Sequence, residues 1–528
     1  MLLSGVLLLH WLGRLTFWRD EWAFLLHRRP WSVSTVLHPF VEQLLAIPVL
    51  IYKTLLGIFG MESALPFQVV SVLLFLASVG MLFIYVRRRV GEWLALAAIL
   101  PILFLGPSWD DLLFPFQMAL FGCIACGIAA LLMLERHDRT GDLAAMVLLL
   151  TALFFFDLGI PFVAAATVEL AFGKDRWRRA YVVAVPTAFW LIWYAGWGHN
   201  ADTFISFTNF ARSPIYMLEG LGTSLATWVG LGTDAYDSSP LDWGRPLLVL
   251  ALVLVAWRLY VLRRFSPRLI GTAILLLGFW FLTALNTNPL APATAGRYQY
   301  LGIVLMALLA SELAAGLRIR RYAVVLLVLT GVAAAIINGT QLRNAARGLA
   351  NIAQQQRGGL GALELARGRV NPGFELTQQN SGVDYLGLLD AGSYFSAVDA
   401  YGSPAYSPAE LVTAPPAAQV SADMVSAAAL GIRLAPGGQA VPGTCLRLDP
   451  RTAPTFPVGA QGVVLTANGP GTQVSLRRYA SGSFPVQLGT LAPGTPELLR
   501  IPADRSTRPW SARLTGGAAV TACRVRVF

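Results

Sequence analysis

The sequence predicts a polytopic α-helical membrane protein of about eleven transmembrane helices, followed by a C-terminal extracytoplasmic β-sandwich domain. Three observations carry that expectation. Of 528 residues, 55% are hydrophobic and only 13% charged, with a mean hydropathy of +0.59, which leaves too little charge to cover a soluble protein of this length. The apolar residues fall in runs of roughly 13 to 20, the longer of which match the hydrocarbon thickness of a bilayer. Short basic clusters separate the runs until, beyond Asn338, the hydropathy collapses into Gly, Pro, Ala and Ser. The formal charge of +11 does not point to nucleic acid, because the arginines stand at the ends of apolar runs instead of along one solvated face.

Taken in order, the candidate spans lie at 2–18, 67–86, 92–106, 117–134, 143–157, 160–172, 180–196, 246–262, 269–285, 300–316 and 322–338. Basic loops at 87–89, 136–139, 174–179, 263–268 and 318–321 alternate with loops poor in Lys and Arg, and the positive-inside rule assigns them to the cytoplasm. Segments 19–66, 107–116, 157–161, 197–245, 286–299 and everything after 339 are then outside a bacterial inner (plasma) membrane. The apolar stretch 216–232 reads as an interfacial or re-entrant helix, since one more span there would turn Arg263 and Arg264 outward. Met1-Leu2-Leu3 offers neither a basic leader nor a small-residue cleavage site, so the first run reads as an uncleaved span.

The organisation expected is a transmembrane domain at 1–340, a linker or interfacial helix at 341–372 and a β-sandwich at 373–528. The sandwich rests on short β-rich runs at 445–448, 462–465 and 473–477, punctuated by Asn468-Gly469-Pro470 and Ala492-Pro493-Gly494. No internal repeat of the transporter type is visible. Cys445 and Cys523 flank these runs in a compartment that permits disulfides, and a bridge is expected over two free buried thiols. Cys123 and Cys126 form a CxxC inside an apolar run with no histidine cluster beside it, which reads as small residues for helix packing.

Chemistry is expected where polar residues crowd the outer helix ends. Arg19-Asp20-Glu21-Trp22 follows the first run directly, and carboxylates at a membrane surface must be hydrated, paired or used. His38, Glu42 and Gln43 follow in the same loop. The second outer loop carries Ser108-Trp109-Asp110-Asp111, and Asp157 lies at a third outer helix end, where an ordinary polar turn explains it as well as a site does. The last polar loop runs Asn286-Thr287-Asn288-Pro289 to Gly296-Arg297-Tyr298-Gln299-Tyr300. An arginine there forks onto phosphate oxygens, and Tyr298 and Tyr300 suit interface depth, which is also the ordinary role of an aromatic belt.

The acidic pair after the first span, His38-Pro39-Phe40-Val41-Glu42, the second acidic pair and Arg-Tyr-x-Tyr before a late span together resemble the GT-C superfamily of membrane glycosyltransferases, over roughly residues 1–340. The similarity is to actinobacterial arabinofuranosyl- and mannosyltransferases that use polyprenyl-phosphate sugars, and the terminal domain resembles their carbohydrate-binding-like domains. The spacing around His38 and Glu42 departs from the commoner Glu-His-Pro-Pro form. The resemblance implies an inverting glycosyltransferase that moves a sugar from a polyprenyl-phosphate donor to a cell-envelope glycan, lipid or protein acceptor in polysaccharide biosynthesis. It implies Asp20 as the base, with Glu21 as its substitute, and Arg297, with Tyr298 or Tyr300, on the donor phosphate. Asp110 and Asp111, with His38 and Glu42, would orient the acceptor, or the two aspartates would hold a divalent cation such as Mg or Mn by oxygen ligation. Two other classes stay open: a transporter or flippase of a lipid-linked substrate, which would want charged or broken helices near the bilayer midplane, and a non-catalytic cell-wall assembly protein with a glycan-binding domain.

Overall fold

The computed structural model describes all residues except 29, 174, 202, 233–241, 263, 289–290, 438–441 and 526–528. Lys174, Arg263 and Pro289, named above as loop residues, lie outside the described residues. The chain divides into two compact units: one of Met1–Gly13, Arg28–Leu55 and Leu65–Arg347, the other of Arg14–His27, Leu56–Ala64 and Gly348–Phe528.

The first unit is a bundle of helices of a membrane protein. Among the described residues five helices are long and apolar enough to cross a bilayer: Leu65–Val90, Pro115–Leu134, Gly244–Leu262, Pro267–Leu285 and Arg321–Leu365. A sixth is counted if Glu92–Phe104 and Gly106–Leu112, bent by 47° at their junction, form one span. Four further apolar helices, Leu2–Leu12, Ala46–Phe59, Gly159–Ala171 and Tyr181–Gly196, are shorter. Glycines let these helices approach closely, as expected where lipid supplies no hydrophobic drive for association. A Cβ at Gly122 would enter the ring of Phe155, one at Gly127 that of Phe162 and one at Gly220 that of Trp280. Cys123 is buried in the same tight stretch, in keeping with a packing role for the CxxC.

Ion pairs show that the basic loops share one end of the bundle. Arg89 bridges Glu135 at 2.7 Å and also pairs with Glu312, Arg88 reaches Glu135 at 2.7 Å, and Arg268 reaches Glu135 at 3.2 Å and Glu169 at 3.1 Å. Arg179 closes on Asp142 at 2.6 Å, and Arg258 caps the carbonyls of Leu313 and Ala315. Each partner stands at the end of a helix that the sequence places on the same side.

Several expected boundaries shift. The first helix ends at Leu12 and not at 18, and residues 14–27 belong to the second unit. Residues 46–59, expected within an outer loop, form a helix of 14 residues, about 21 Å long. Helix Phe207–Trp228 includes most of the stretch read as interfacial and packs in the bundle, with Gly220 against Trp280 and Ser224 bonded to Gln299 at 2.7 Å. The last span and the following stretch are one helix of 45 residues, because nothing between 338 and 341 breaks the backbone: Asn338 and Thr340 are tolerated in a helix.

In the second unit, the β region expected from 373 begins only at Leu434. Residues 378–429 hold the short helices Gln378–Ser381, Ala391–Tyr401, Pro408–Thr413 and Pro416–Ala429, whose Ala-rich sequences carry capping boxes at Thr377 and Ser407 instead of alternation. Among the described residues nine strands follow: β1 Leu434–Pro436, β2 Pro442–Leu448, β3 Thr455–Val458, β4 Val463–Ala467, β5 Gln473–Arg477, β6 Val486–Thr490, β7 Pro496–Leu499, β8 Trp510–Thr515 and β9 Val520–Val525. They form two antiparallel sheets, ordered β1-β7-β4-β9-β2 and β3-β8-β5-β6. Cys445 and Cys523 stand opposite each other on β2 and β9 and are joined by a disulfide.

Candidate functional site

At the end of the first unit away from the ion pairs, four segments converge on a group of acids. The loop at 38–45 is held by Arg28, whose buried guanidinium donates to the carbonyls of His38 at 2.9 Å and Pro39 at 2.8 Å. Phe40 and Gln43 exchange backbone hydrogen bonds, closing a tight turn that carries Glu42. Val41 takes φ +54° in that turn, a left-handed conformation unusual for a β-branched residue and of the kind that accompanies functional sites. Burial pushes the Glu42 carboxyl up, while its own backbone and the Asn286 side chain pull it down.

Asp157 occupies the turn between helices Arg139–Phe155 and Gly159–Ala171 and accepts the Leu44 N–H at 3.2 Å, which ties it to the same loop. Enclosure raises its carboxyl to about 7, with the charge of Glu42 adding to the rise and the Leu44 N–H opposing it. Phe40 packs on Phe116, ring centroids 5.5 Å apart, joining this loop to the second acidic segment.

That segment carries Asp110 and Asp111 on the short helix Trp109–Leu112. It lies directly on the start of helix Gly296–Ala314: Ser108 Oγ donates to the Gly296 carbonyl at 2.9 Å, and a Cβ at Gly296 would overlap the Pro107 carbonyl and fall 2.8 Å from Asp110 Oδ1. Asp111 is fully buried, and neither of its carboxyl oxygens has a hydrogen-bond partner among the described residues. Burial drives its carboxyl far above the usual range, the neighbouring Asp110 adds to the effect, and Arg297 opposes it. Arg297 stacks on Tyr298 at 5.3 Å, and Tyr298 lies within electrostatic reach of Glu42.

Of the residues expected at a site, Glu42, Asp110, Asp111, Arg297 and Tyr298 are thus gathered, and Asp157 joins them. Tyr300 is not placed like Tyr298. Two residues along a helix turn about 200°, and its ring goes into the core against Phe75 and Phe121 with its hydroxyl 2.6 Å from Ser78 Oγ. His38 is exposed, with its ring 2.9 Å from the Pro39 carbonyl. Asp20 and Glu21 belong to the second unit. There Glu21 is 1% exposed and accepts the Trp18 N–H at 2.8 Å, the geometry of a residue that closes a turn. Trp22 beside it is buried against Tyr385 and Tyr394. Asp20 is half-buried.

Arg28 and Lys53 escaped notice in the sequence. Lys53 is buried, donates to the Pro30 carbonyl at 2.6 Å and lies over Trp31 at 5.0 Å. Burial and the charge of Arg28 both lower its ammonium, and burial lowers Arg28 to about 10. The signal for them was positional, because cations in a loop assigned to the outside run against the positive-inside rule.

Among the described residues no group of three or more His, Cys, Asp or Glu side chains is placed to hold a metal ion. Arg297 is the positive charge that acts on Asp111. The sequence matches no known protein-family model and no curated protein. Among solved structures, the chain is similar to a crystal structure of ArnT from Cupriavidus metallidurans bound to undecaprenyl phosphate, with a TM-score of 0.46 and 13% identity over 77% of this chain and 88% of that one. The apo state of the same protein gives a TM-score of 0.42 at the same identity and coverage.

Proposed function

We propose that the protein is a GT-C-type glycosyltransferase that moves a sugar from a polyprenyl-phosphate donor to a cell-envelope glycan, lipid or protein on the outer side of the inner membrane. In this reading the chain crosses the bilayer about eleven times, and the two terminal sheets form an external sandwich. The observation that carries the proposal is the meeting of Asp110, Asp111 and Glu42 with Arg297 and Tyr298 at the end of the bundle opposite its ion-paired, arginine-rich end.

The acceptor hydroxyl oxygen attacks the anomeric carbon, and the bond from that carbon to the phosphate oxygen breaks. A carboxylate takes the hydroxyl proton, and the polyprenyl phosphate leaves with one more negative charge than it carried in the donor. Arg297 stabilises that charge with Tyr298 beside it. Asp110 and Asp111 orient acceptor hydroxyls; a neutral Asp111 can donate a hydrogen bond as well as accept one. Single displacement inverts the anomeric carbon. No step in this scheme requires a divalent cation.

The full chain in nanodiscs, given radiolabelled polyprenyl-phosphate sugar and envelope glycan, is expected to form a new glycosidic bond. Asp20→Asn is expected to lower that rate by about 10²-fold or more at unchanged expression. Wild-type transfer by Asp20→Asn removes that residue from the base role. Movement of label across the bilayer without a new bond points to a transporter, and glycan binding without turnover of any donor points to an assembly protein.

A further inference from the structure

Strands β5 and β8 pair antiparallel, with Ser475 opposite Arg513 and Arg477 opposite Ser511. Alternation sends Val474, Leu476, Trp510, Ala512 and Leu514 into the core and leaves Ser475, Arg477, Ser511 and Arg513 on the other face, where Ser475 is itself buried and the other three are partly exposed. Gln487 of β6 stands opposite Ser475, and Thr455 of β3 stands opposite Arg513, so neutral polar groups continue the face on both sides. Phe484, just before β6, is clasped by both arginines, Arg477 at 4.5 Å and Arg513 at 5.4 Å from its ring centroid. No Asp or Glu occurs in the four strands of this sheet, and among the described residues neither guanidinium forms an ion pair.

The next residue shows what this chain does with an arginine used for structure. Arg478 is 6% exposed and forks onto Asp504 at 2.6 and 3.2 Å. Arg477 and Arg513 receive no such partner. They are half-buried and lie against an aromatic ring, while among the described residues no acid compensates their charge. Planar forks of this kind match carboxylate and phosphate oxygens, and the surrounding hydroxyl and amide groups match sugar hydroxyls.

We propose that this face of the β3-β8-β5-β6 sheet binds an acidic polysaccharide, with Arg477 and Arg513 on its acid groups and Ser511, Gln487 and Thr455 along the sugar chain. A bilayer surface fits less well. Residues 348–528 contain no lysine, and among the described residues no exposed large hydrophobic side chain on this face is available to enter lipid. Binding here needs no transfer chemistry, so its failure would leave the proposed reaction standing, and failure of the reaction would leave the binding standing.

The test uses the full chain in zwitterionic nanodiscs, with polygalacturonate as the acidic probe and dextran as the neutral one, read by thermophoresis. Wild type is expected to bind polygalacturonate with an affinity that falls as salt rises, and to show no binding to dextran. Arg477→Gln with Arg513→Gln should weaken polygalacturonate binding about tenfold or more at an unchanged melting temperature. Arg513→Lys, which keeps the charge and loses the fork, should fall between the two. Equal binding of dextran, no binding of polygalacturonate, or full affinity in the double glutamine variant overturns the proposal. So does arginine-dependent capture by anionic vesicles in the absence of polygalacturonate binding.

Discussion

Asp157 shows how far a residue's meaning depends on what encloses it. In the sequence it is a polar residue in a Phe-Asp-Leu-Gly turn, which an ordinary polar turn and a site role explain equally well. In the fold it is bonded to Leu44 and shares its surroundings with Glu42, and its carboxyl is raised to about 7. A carboxyl with a folded-state pKa above its unfolded one destabilises the protein as pH rises. The native state holds the proton that the unfolded state has already lost, from about pH 4 up to about pH 7, and the cost is complete above that window. Asp157→Asn, which cannot ionise, should therefore remove up to about 1.4 kcal/mol per pH unit of that decline. The measurement is the thermal midpoint of wild type and variant in detergent between pH 4 and 8; parallel curves would show that Asp157 titrates normally. Val41, at φ +54° in the neighbouring turn, was invisible as a strained position, because strain is a property of the closed turn and not of the residue type.

At the scale of elements, the acidic helix and the arginine helix are coupled through one glycine. Gly296 opens helix Gly296–Ala314 with its backbone against Pro107 and Asp110, where a methyl group has no room. Gly296→Ala should push the two elements apart, costing about 1 to 3 kcal/mol of stability by overpacking. Transfer should fall with it, as Asp110 and Arg297 separate. Measured turnover equal to wild type would mean that their spacing does not matter to the reaction. This contact was hidden in the sequence, where Gly296 reads only as a helix start. The long apolar helices were plain, because a span depends on local length and hydropathy. Leu65–Val90 and Pro267–Leu285 fall within a few residues of the runs expected at 67–86 and 269–285. Strand β5 falls on the expected run at 473–477. The short helices between 378 and 429 were missed, since Ala, Ser and Pro in quick succession carry neither period strongly.

For the whole molecule, the disulfide offers the clearest energetic test. Cys445 and Cys523 are 78 residues apart and close most of the β region into one loop. Restricting the unfolded chain over that length contributes about 4 to 5 kcal/mol in the chain-entropy account. Cys445→Ser with Cys523→Ser is expected to lower the unfolding midpoint of the second unit by several degrees, read by hydrogen exchange on β2, β4 and β9. Unchanged protection in those strands would show that the sheets hold without the bridge.

The sequence by itself determined that this is a membrane protein, where its longest helices lie, and that its arginine-rich loops share a side. Each of those follows from the free energy of placing local segments in lipid or water, which a linear reading can sum. Only the tertiary structure decided which polar residues meet. It drew Glu42, Asp157, Asp111 and Arg297 together from four separate loops, sent Tyr300 into the core while Tyr298 stayed near Glu42, and turned Glu21 into a turn closure. Electrostatic coupling and burial depend on distances through space, and those are set by packing between helices whose order in the chain does not reveal their neighbours.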